Sequence, residues 1–338
     1  MTKIDPILLN DWYIVAKAED IQQGEIKSVR LLGEDIVVWR GNSPESPVLA
    51  WQDWCPHRGA ALSRGKIVSD CLACGYHGLR YDKTGKCVYI PSLPTQTPPA
   101  NARVKAYKCQ ESRDYIWVSL GNPVQNILPI PEYNNPDYCR FISRPYYIRS
   151  SPFRVLENNF DLAHVPFVHE GSIGDARYPA IEEYEVETDK DGITIRNFKL
   201  WQMSPVFIDN KNVSKFSFSM RINRPLSILG VKETENDSKK KYWFVHVTPV
   251  EEESCLLWVE QTLNYFYELP ELEMQKHQDI VFREDTQILE SQRPARLPLL
   301  SRNNSNTQWP REVNVQCDKA SVAYRKWLKD LGITFGVC

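Results

Sequence analysis

Two stretches, Cys55-Pro-His57-Arg-Gly59 and Cys74-Gly-Tyr-His77-Gly78, decide how this chain folds. They hold a C-x-H pair and a C-x-x-H pair about sixteen residues apart. Two thiolates and two imidazoles held in tight Gly/Pro-containing loops can bind one metal centre. One candidate is a Cys₂His₂ zinc site. The other is a [2Fe–2S] cluster with two Cys on one iron and two His on the other. Zinc sites usually pair Cys with Cys and His with His along the chain. Here each loop supplies one of each, as it must if each loop is to straddle two irons. The cluster is the favoured reading.

Working outward, 338 residues suggest about two domains, each large enough for its own core. A hydrophobic content of 42% and a charged content of 25% are ordinary for a globular protein. A net charge of −2 argues against nucleic acid or an anionic membrane as the main partner. The first twenty residues carry no basic segment followed by an apolar one, so no export signal is expected. No run of eighteen apolar residues exists, so no membrane span is expected. Nine cysteines, an odd number, fit a reducing compartment better than a disulfide framework. A cytoplasmic protein is expected. Cys71 competes with Cys74 for the second loop, but only Cys74 has a histidine at the matching offset.

Residues 1–145 read as one domain. Short aromatic and β-branched runs recur, such as Trp12-Tyr-Ile-Val-Ala, Asp35-Ile-Val-Val-Trp and Tyr115-Ile-Trp-Val. Gly33 marks a hairpin turn, and turn residues such as those of Asp82-Lys-Thr-Gly85 separate later strands. That pattern predicts an all-β sandwich or small barrel. Four prolines make 91–101 a loop, and the proline-rich 122–136 stretch reads as a connection.

Residues 146–338 read as a second, α+β domain. A helix-compatible segment spans 157–164, with Pro166 stopping or kinking it. Long strand patterns follow around 193–201, 215–222, 243–249 and 255–263. Asn236-Asp-Ser-Lys-Lys-Lys reads as a solvated turn with no nucleic-acid role. Helices are expected over 270–293 and 318–331, the latter stopped by Gly332.

A second constellation lies in this half. Asn158, Asp161 and His164 are spaced i, i+3, i+6, roughly along one side of a helix. Pro166 lets the chain turn so that His169 can converge on them. On the long helix, Val281 and Leu289 flank Asp285 on either side, with Phe282 and Ile288 just beyond, which puts Asp285 in the middle of the apolar stripe. Glu284 lies roughly 100° off that stripe. A buried carboxylate pairs with a cation or binds a metal. The pairing could be with one of the chain's arginines. The alternative is a 2-His-1-carboxylate triad of His164, His169 and Asp285, which leaves open positions on Fe(II) for dioxygen.

Taken together, these motifs resemble the Rieske non-haem iron oxygenases. The residues that carry the resemblance are Cys55-Pro-His57-Arg-Gly, Cys74-Gly-Tyr-His77-Gly, Asn158-x-x-Asp161-x-x-His164-x₄-His169 and Glu284-Asp285. The second loop usually reads C-P-Y-H-G-W in that family, so Gly75 and Leu79 are departures. The resemblance implies an α+β chain: an N-terminal all-β Rieske domain before a C-terminal helix-grip (START-like) catalytic domain. It implies a [2Fe–2S] Rieske cluster on Cys55, His57, Cys74 and His77, and a mononuclear Fe(II) on His164, His169 and Asp285. It further implies O₂ as co-substrate, a ferredoxin-type or flavin/2Fe–2S reductase as electron donor, and a small-molecule substrate hydroxylated at a C–H bond. A head-to-tail C3 homotrimer is expected, in which Asp161 joins His164 to His77 of a neighbouring copy and Asn158 sits near the iron. A narrower resemblance runs through Ile7-Leu-Leu-Asn-Asp-Trp-Tyr-Ile-Val-Ala-Lys, Ser151-Pro-Phe-Arg-Val, Pro294-Ala-Arg-Leu-Pro-Leu-Leu and Val322-Ala-Tyr-Arg-Lys-Trp-Leu-Lys-Asp-Leu-Gly-Ile-Thr-Phe-Gly-Val-Cys338. It points to cyanobacterial oxygenases that hydroxylate saxitoxin-type guanidinium alkaloids. The alternative substrate class is aromatic, as for a vanillate O-demethylase-like monooxygenase.

Overall fold

A computed structural model describes residues 4–203, 213–234, 238–299 and 309–338. The chain divides into two compact units, residues 1–127 and 128–338. The division falls inside the proline-rich 122–136 stretch. It lies ahead of residue 145 because the strand Cys139–Ile142 pairs within the second unit.

The first unit is nearly all strand, after a one-turn helix α1 (Pro6–Leu9). Six strands form one antiparallel sheet: β1 (Tyr13–Lys17), β2 (Ile26–Leu31), β3 (Glu34–Arg40), β4 (Val48–Gln52), β9 (Ala106–Ser112) and β10 (Tyr115–Ser119), ordered β1-β10-β9-β4-β3-β2. Between β4 and β9 a smaller sheet is inserted: β5 (Lys66–Val68), β6 (Cys71–Ala73), β7 (Arg80–Tyr81) and β8 (Cys87–Tyr89). The expected β2–β3 hairpin forms, and its two linking residues Leu32 and Gly33 both take positive φ (53° and 78°). That is the turn whose twist matches the strands it joins. A core of Val37, Trp39, Trp51, Leu62, Leu72, Leu79 and Tyr81 includes both Cys55 and Cys74. Trp39 and Trp51 meet edge to face at 4.8 Å.

In the second unit, β11 (Cys139–Ile142) and β12 (Tyr146–Ile148) both pair with the last strand of a long meander. That meander is β13 (Glu185–Asp189), β14 (Gly192–Met203), β15 (Val213–Arg224), β16 (Ser227–Thr234), β17 (Lys240–Glu251) and β18 (Ser254–Leu263), each pairing with the next. Helix α4 (Glu271–Leu289) is anchored near β12, where the Tyr146 hydroxyl donates to Asp279 at 2.8 Å and Arg144 grips the same carboxylate. The fold class is therefore α+β, an all-β unit followed by a helix-on-sheet unit. Asn236 and Asp237, and Leu300 of the 294–300 motif, lie outside the described residues. Of the lysine run beside them, Lys239 is exposed ahead of the strand as expected, whereas Lys240 opens β17 and Lys241 continues it.

The expected helix over 157–164 is broken. Helix α2 (Pro152–Asn158) ends before Asp161, whose carboxylate accepts from the Ala163 N–H and starts a 3-10 turn, Leu162–His164. Helix α3 (Val165–Val168) follows, and Pro166 sits in its first turn. A proline is tolerated there because the first N–H groups of a helix have no internal partner. The last helix, α5 (Lys319–Asp330), ends before Gly332 at φ 72°, as expected.

Candidate metal centres and substrate cavity

The two cysteine loops are built alike. The Cys55 N–H donates to the Ala60 carbonyl and the Gly59 N–H to the Cys55 carbonyl, both at 2.8 Å. The Cys74 N–H donates to Leu79 and the Gly78 N–H to Cys74, both at 2.9 Å. Gly59 and Gly78 take φ of 72° and 71° to close these tips, a region that favours glycine. In each loop the cysteine is buried and the histidine exposed. Cys55 and Cys74 contact each other, and the rings of His57 and His77 meet at 4.6 Å. Cys71 lies at the start of β6, away from this pair of loop tips.

This donor set fits a [2Fe–2S] cluster. It separates into a thiol side inside the core and an imidazole side at the surface. The sulfurs also have donors aimed at them. The Tyr81 hydroxyl lies 3.1 Å from Cys55 Sγ, and the N–H groups of Tyr76 and His77 point to Cys74. Burial, with the cysteines beside it, pushes the Tyr81 phenol far above its ordinary range, so it stays a donor. The Gly75 departure has a steric cause: a side chain there would collide with the Arg64 carbonyl oxygen. Leu79, the other departure, is buried in the core.

The second unit brings His164, His169 and Asp285 together, with one ligand atom from each within 4.8 Å of the others. Asp285 Oδ1 lies 3.3 Å from His164 Nε2 and 3.2 Å from His169 Nε2. Asn158 Nδ2 donates to the same oxygen at 2.9 Å. Two imidazoles and one carboxylate, aimed at one point beside a cavity, fit a ferrous ion with open positions. Burial works against the Asp285 charge, but hydrogen bonds to the two histidines hold its carboxyl well below the usual range.

Each arm is fixed from behind. Helix α2 carries Asn158, and its neighbour Glu157 makes a buried two-point ion pair with Arg325 of α5, both contacts 2.7 Å. The His169 carbonyl accepts from the N–H groups of Ser172, Ile173 and Gly174. His169 Nδ1 lies 2.8 Å from Glu284 Oε2, which also accepts from Ser172 Oγ at 2.8 Å. Glu284 was not legible as a partner of His169, since it lies off the apolar stripe. Its adjacency to Asp285 was the available signal. Asp161 approaches His164 through its backbone: the Asp161 carbonyl oxygen lies 2.5 Å from His164 Nδ1. Burial pushes the Asp161 carboxyl up, and the nearby His164 offsets part of that.

The triad opens on a cavity of about 350 Å³ between the sheet and α4. Its apolar wall includes Phe141, Phe218, Trp243, Val259, Leu263 and Phe282. Gln261 and Gln278 tie sheet to helix at 2.7 Å. The Trp243 indole lies over Gly230, its partner on the neighbouring strand, and any side chain at 230 would overlap that ring. Lys232 and Lys241 also line the cavity, and His277 faces it from α4.

Residues 11–108 match the Rieske [2Fe-2S] domain family, and residues 148–332 match the Vanillate O-demethylase oxygenase C-terminal domain family. The methylxanthine N3-demethylase NdmB of Pseudomonas putida is 30% identical over 90% of this chain and 83% of its own. The structure of Pseudomonas putida NdmA with caffeine superposes with a TM-score of 0.78 at 25% identity, over 96% of this chain and 90% of that one. Dicamba monooxygenase bound to 3,6-dichlorosalicylic acid shares the fold at a TM-score of 0.80 and 23% identity, over 96% and 97% of the two chains. Family match over more than half the chain, whole-length likeness to NdmB and a donor set suited to both metals lead to one conclusion: this chain belongs to the Rieske non-haem iron oxygenases, monooxygenases that carry a [2Fe–2S] cluster and a mononuclear iron and use O₂ as co-substrate.

Proposed function

We propose that the chain inserts one oxygen atom from O₂ into a C–H bond of a small, largely apolar molecule held in the cavity beside His164, His169 and Asp285, the other atom leaving as water with two protons and two electrons from a reductase. The observation that carries this is the placement of the triad in the wall of an apolar cavity. When bound, the two metal centres supply single electrons and dioxygen activation. The residues supply the rest. His164, His169 and Asp285 hold the mononuclear iron, and Asn158 fixes the Asp285 oxygen from its other side. Glu284 fixes His169, as a carboxylate behind a ligating imidazole sets its tautomer and basicity. The aromatic and aliphatic wall excludes water and presents one C–H bond to the open side of the triad. Cys55, His57, Cys74 and His77 hold the cluster, with electrons drawn from a ferredoxin-type or flavin/2Fe–2S reductase in the cytoplasm. Asp161, beside His164, joins it to His77 of a neighbouring copy in a head-to-tail trimer.

Two substrate classes compete. A guanidinium alkaloid of the saxitoxin type calls for carboxylates or carbonyl groups in the cavity. The described wall carries two acidic residues, Asp285 within the triad and Glu273, which pairs with Lys276 at 2.7 Å. The aromatic, demethylase-like class is favoured by the apolar wall. The test is O₂-dependent turnover with a reductase over a panel holding a guanidinium alkaloid, a methylxanthine and vanillate. The expected result is an oxygenated or demethylated product from the aromatic members. Iron-replete protein that gives no O₂-dependent product from any member would defeat the proposal.

A further inference from the structure

Lys232 of β16 and Lys241 of β17 are direct cross-strand partners, so their side chains leave the sheet on the same face. Both line the cavity that holds the triad. Like charges placed opposite each other across two strands destabilise a sheet, and stripping an ammonium of water costs several kcal/mol. Lys232 is only 9% exposed. Its ammonium meets the Gln202 side-chain oxygen and the faces of Phe216 at 3.6 Å and Phe218 at 5.6 Å. Among the described residues, neither lysine has a carboxylate within ion-pair distance. Burial depresses both, Lys241 to about 8, and Lys232 is also repelled by Lys241. His277 of α4 feels both ammoniums as well as Glu284 and His169, and burial with the lysines lowers it to about 4. Among the described residues, the wall opposite α4 thus carries two facing lysines with no carboxylate partner, inside a largely apolar cavity.

We infer that the substrate carries an anionic group, a carboxylate, sulfonate or sulfate, that binds against Lys232 and Lys241 while its oxidisable carbon faces His164, His169 and Asp285. This rests on the oxygenase reading above and specifies its substrate class. A bound anion answers both structural costs at once. It neutralises the facing charges and replaces the water each ammonium has lost. Gln202 and the Phe216 ring position the Lys232 ammonium for it. A guanidinium cation would instead add a third positive charge to the same space.

The test is a binding titration on the metal-loaded protein, read by quenching of tryptophan fluorescence, because Trp243 lines the cavity. The probes are toluene-4-sulfonate against methyl 4-tolyl sulfone, benzoate against benzamide, and benzylguanidinium as the cation. The anions should bind roughly tenfold tighter than their neutral partners, the gain expected of charge-assisted hydrogen bonds. Lys232→Met and Lys241→Met should each remove most of that preference. The proposal is overturned if wild-type protein shows no preference for anions, binds benzylguanidinium more tightly, or binds none of the probes. It is also overturned if the preference survives in the double variant. The wild-type comparison stands even if that variant fails to fold. Iron content and O₂ uptake are measured on the same preparations. Iron-free protein with no O₂ uptake would count against the oxygenase reading, whereas iron-replete protein indifferent to probe charge would count against the lysine pair alone.

Discussion

The imidazole of His169 is held between two neighbouring carboxylates of one helix: Glu284 Oε2 at 2.8 Å from Nδ1 and Asp285 Oδ1 at 3.2 Å from Nε2. Consecutive helical residues point about 100° apart, so this arrangement needs the ring to lie along the edge of α4. Burial disfavours charge on the ring, but hydrogen bonds to Asp285 and then Glu284 outweigh it and raise its pKa. The two carboxylates of α4 therefore set the orientation of the ring.

That orientation predicts a specific defect. Glu284→Ala should weaken iron binding at the triad roughly 10- to 100-fold, the usual effect of losing such a support. Competition with a ferrous chelator measures it. Glu284→Gln keeps an oxygen acceptor and should fall in between. Unchanged affinity in the alanine variant would mean that Ser172 and the backbone alone hold the ring.

The two aspartates should fail differently. Asp285→Ala should lose roughly one iron per chain while keeping the cluster's visible spectrum, since it removes the only carboxylate of the triad. Asp161→Ala should keep both metals and lose most turnover. Full activity in that variant would remove Asp161 from any link between copies.

Tyr81 offers a redox test. Its hydroxyl lies 3.1 Å from Cys55 Sγ, and hydrogen bonds to the sulfurs raise a cluster's potential. Tyr81→Phe should lower the potential by on the order of 40 mV, the equivalent of about 1 kcal/mol for one hydrogen bond and one electron. A spectroelectrochemical titration reads it directly. An unchanged midpoint would show that the hydroxyl turns elsewhere once the cluster is in place.

Lys241 predicts a pH effect on stability. Burial lowers its pKa to about 8 from the ordinary 10.5 of a lysine. Below pH 8 the lysine is charged both folded and unfolded, and the folded state bears the full cost. Between pH 8 and 10.5 the folded protein sheds the proton first, so this cost is relieved as pH rises. Lys241→Met should remove a stabilising slope over that window worth on the order of 3 kcal/mol. Urea midpoints at pH 7.5 and 10 for the two proteins measure the difference. Parallel slopes would mean that the ammonium reaches solvent.

Much of the site could be read from the chain because its signals are local. Each cysteine loop closes on itself through hydrogen bonds between residues four and five apart, so spacing alone reports it. Asp285 could be placed because helical periodicity carries it between Val281 and Leu289, both buried as expected. Ile288 escaped that reasoning and is 45% exposed, because it lies at the edge of the stripe in the helix's final turn. The 157–164 helix was misread for a competing local reason. Asp161 is a better cap than helix interior, and it stops α2 to start a new turn. Lys232 and Lys241 could not be seen as a pair. Their opposition depends on strand register, and a run of three lysines reads as solvent-facing until that register is known. Gly75 was likewise opaque, since what excludes a side chain there is the backbone of Arg64, in a different turn.

Gly230 contributes no atom to the cavity's chemistry, yet it sets the cavity's width. The Trp243 indole can lie flat only because its strand partner has no side chain. One added methyl would displace that ring, which lines the cavity. The range of molecules this enzyme accepts can therefore be retuned from a position that touches neither iron nor substrate, by a change as small as glycine to alanine.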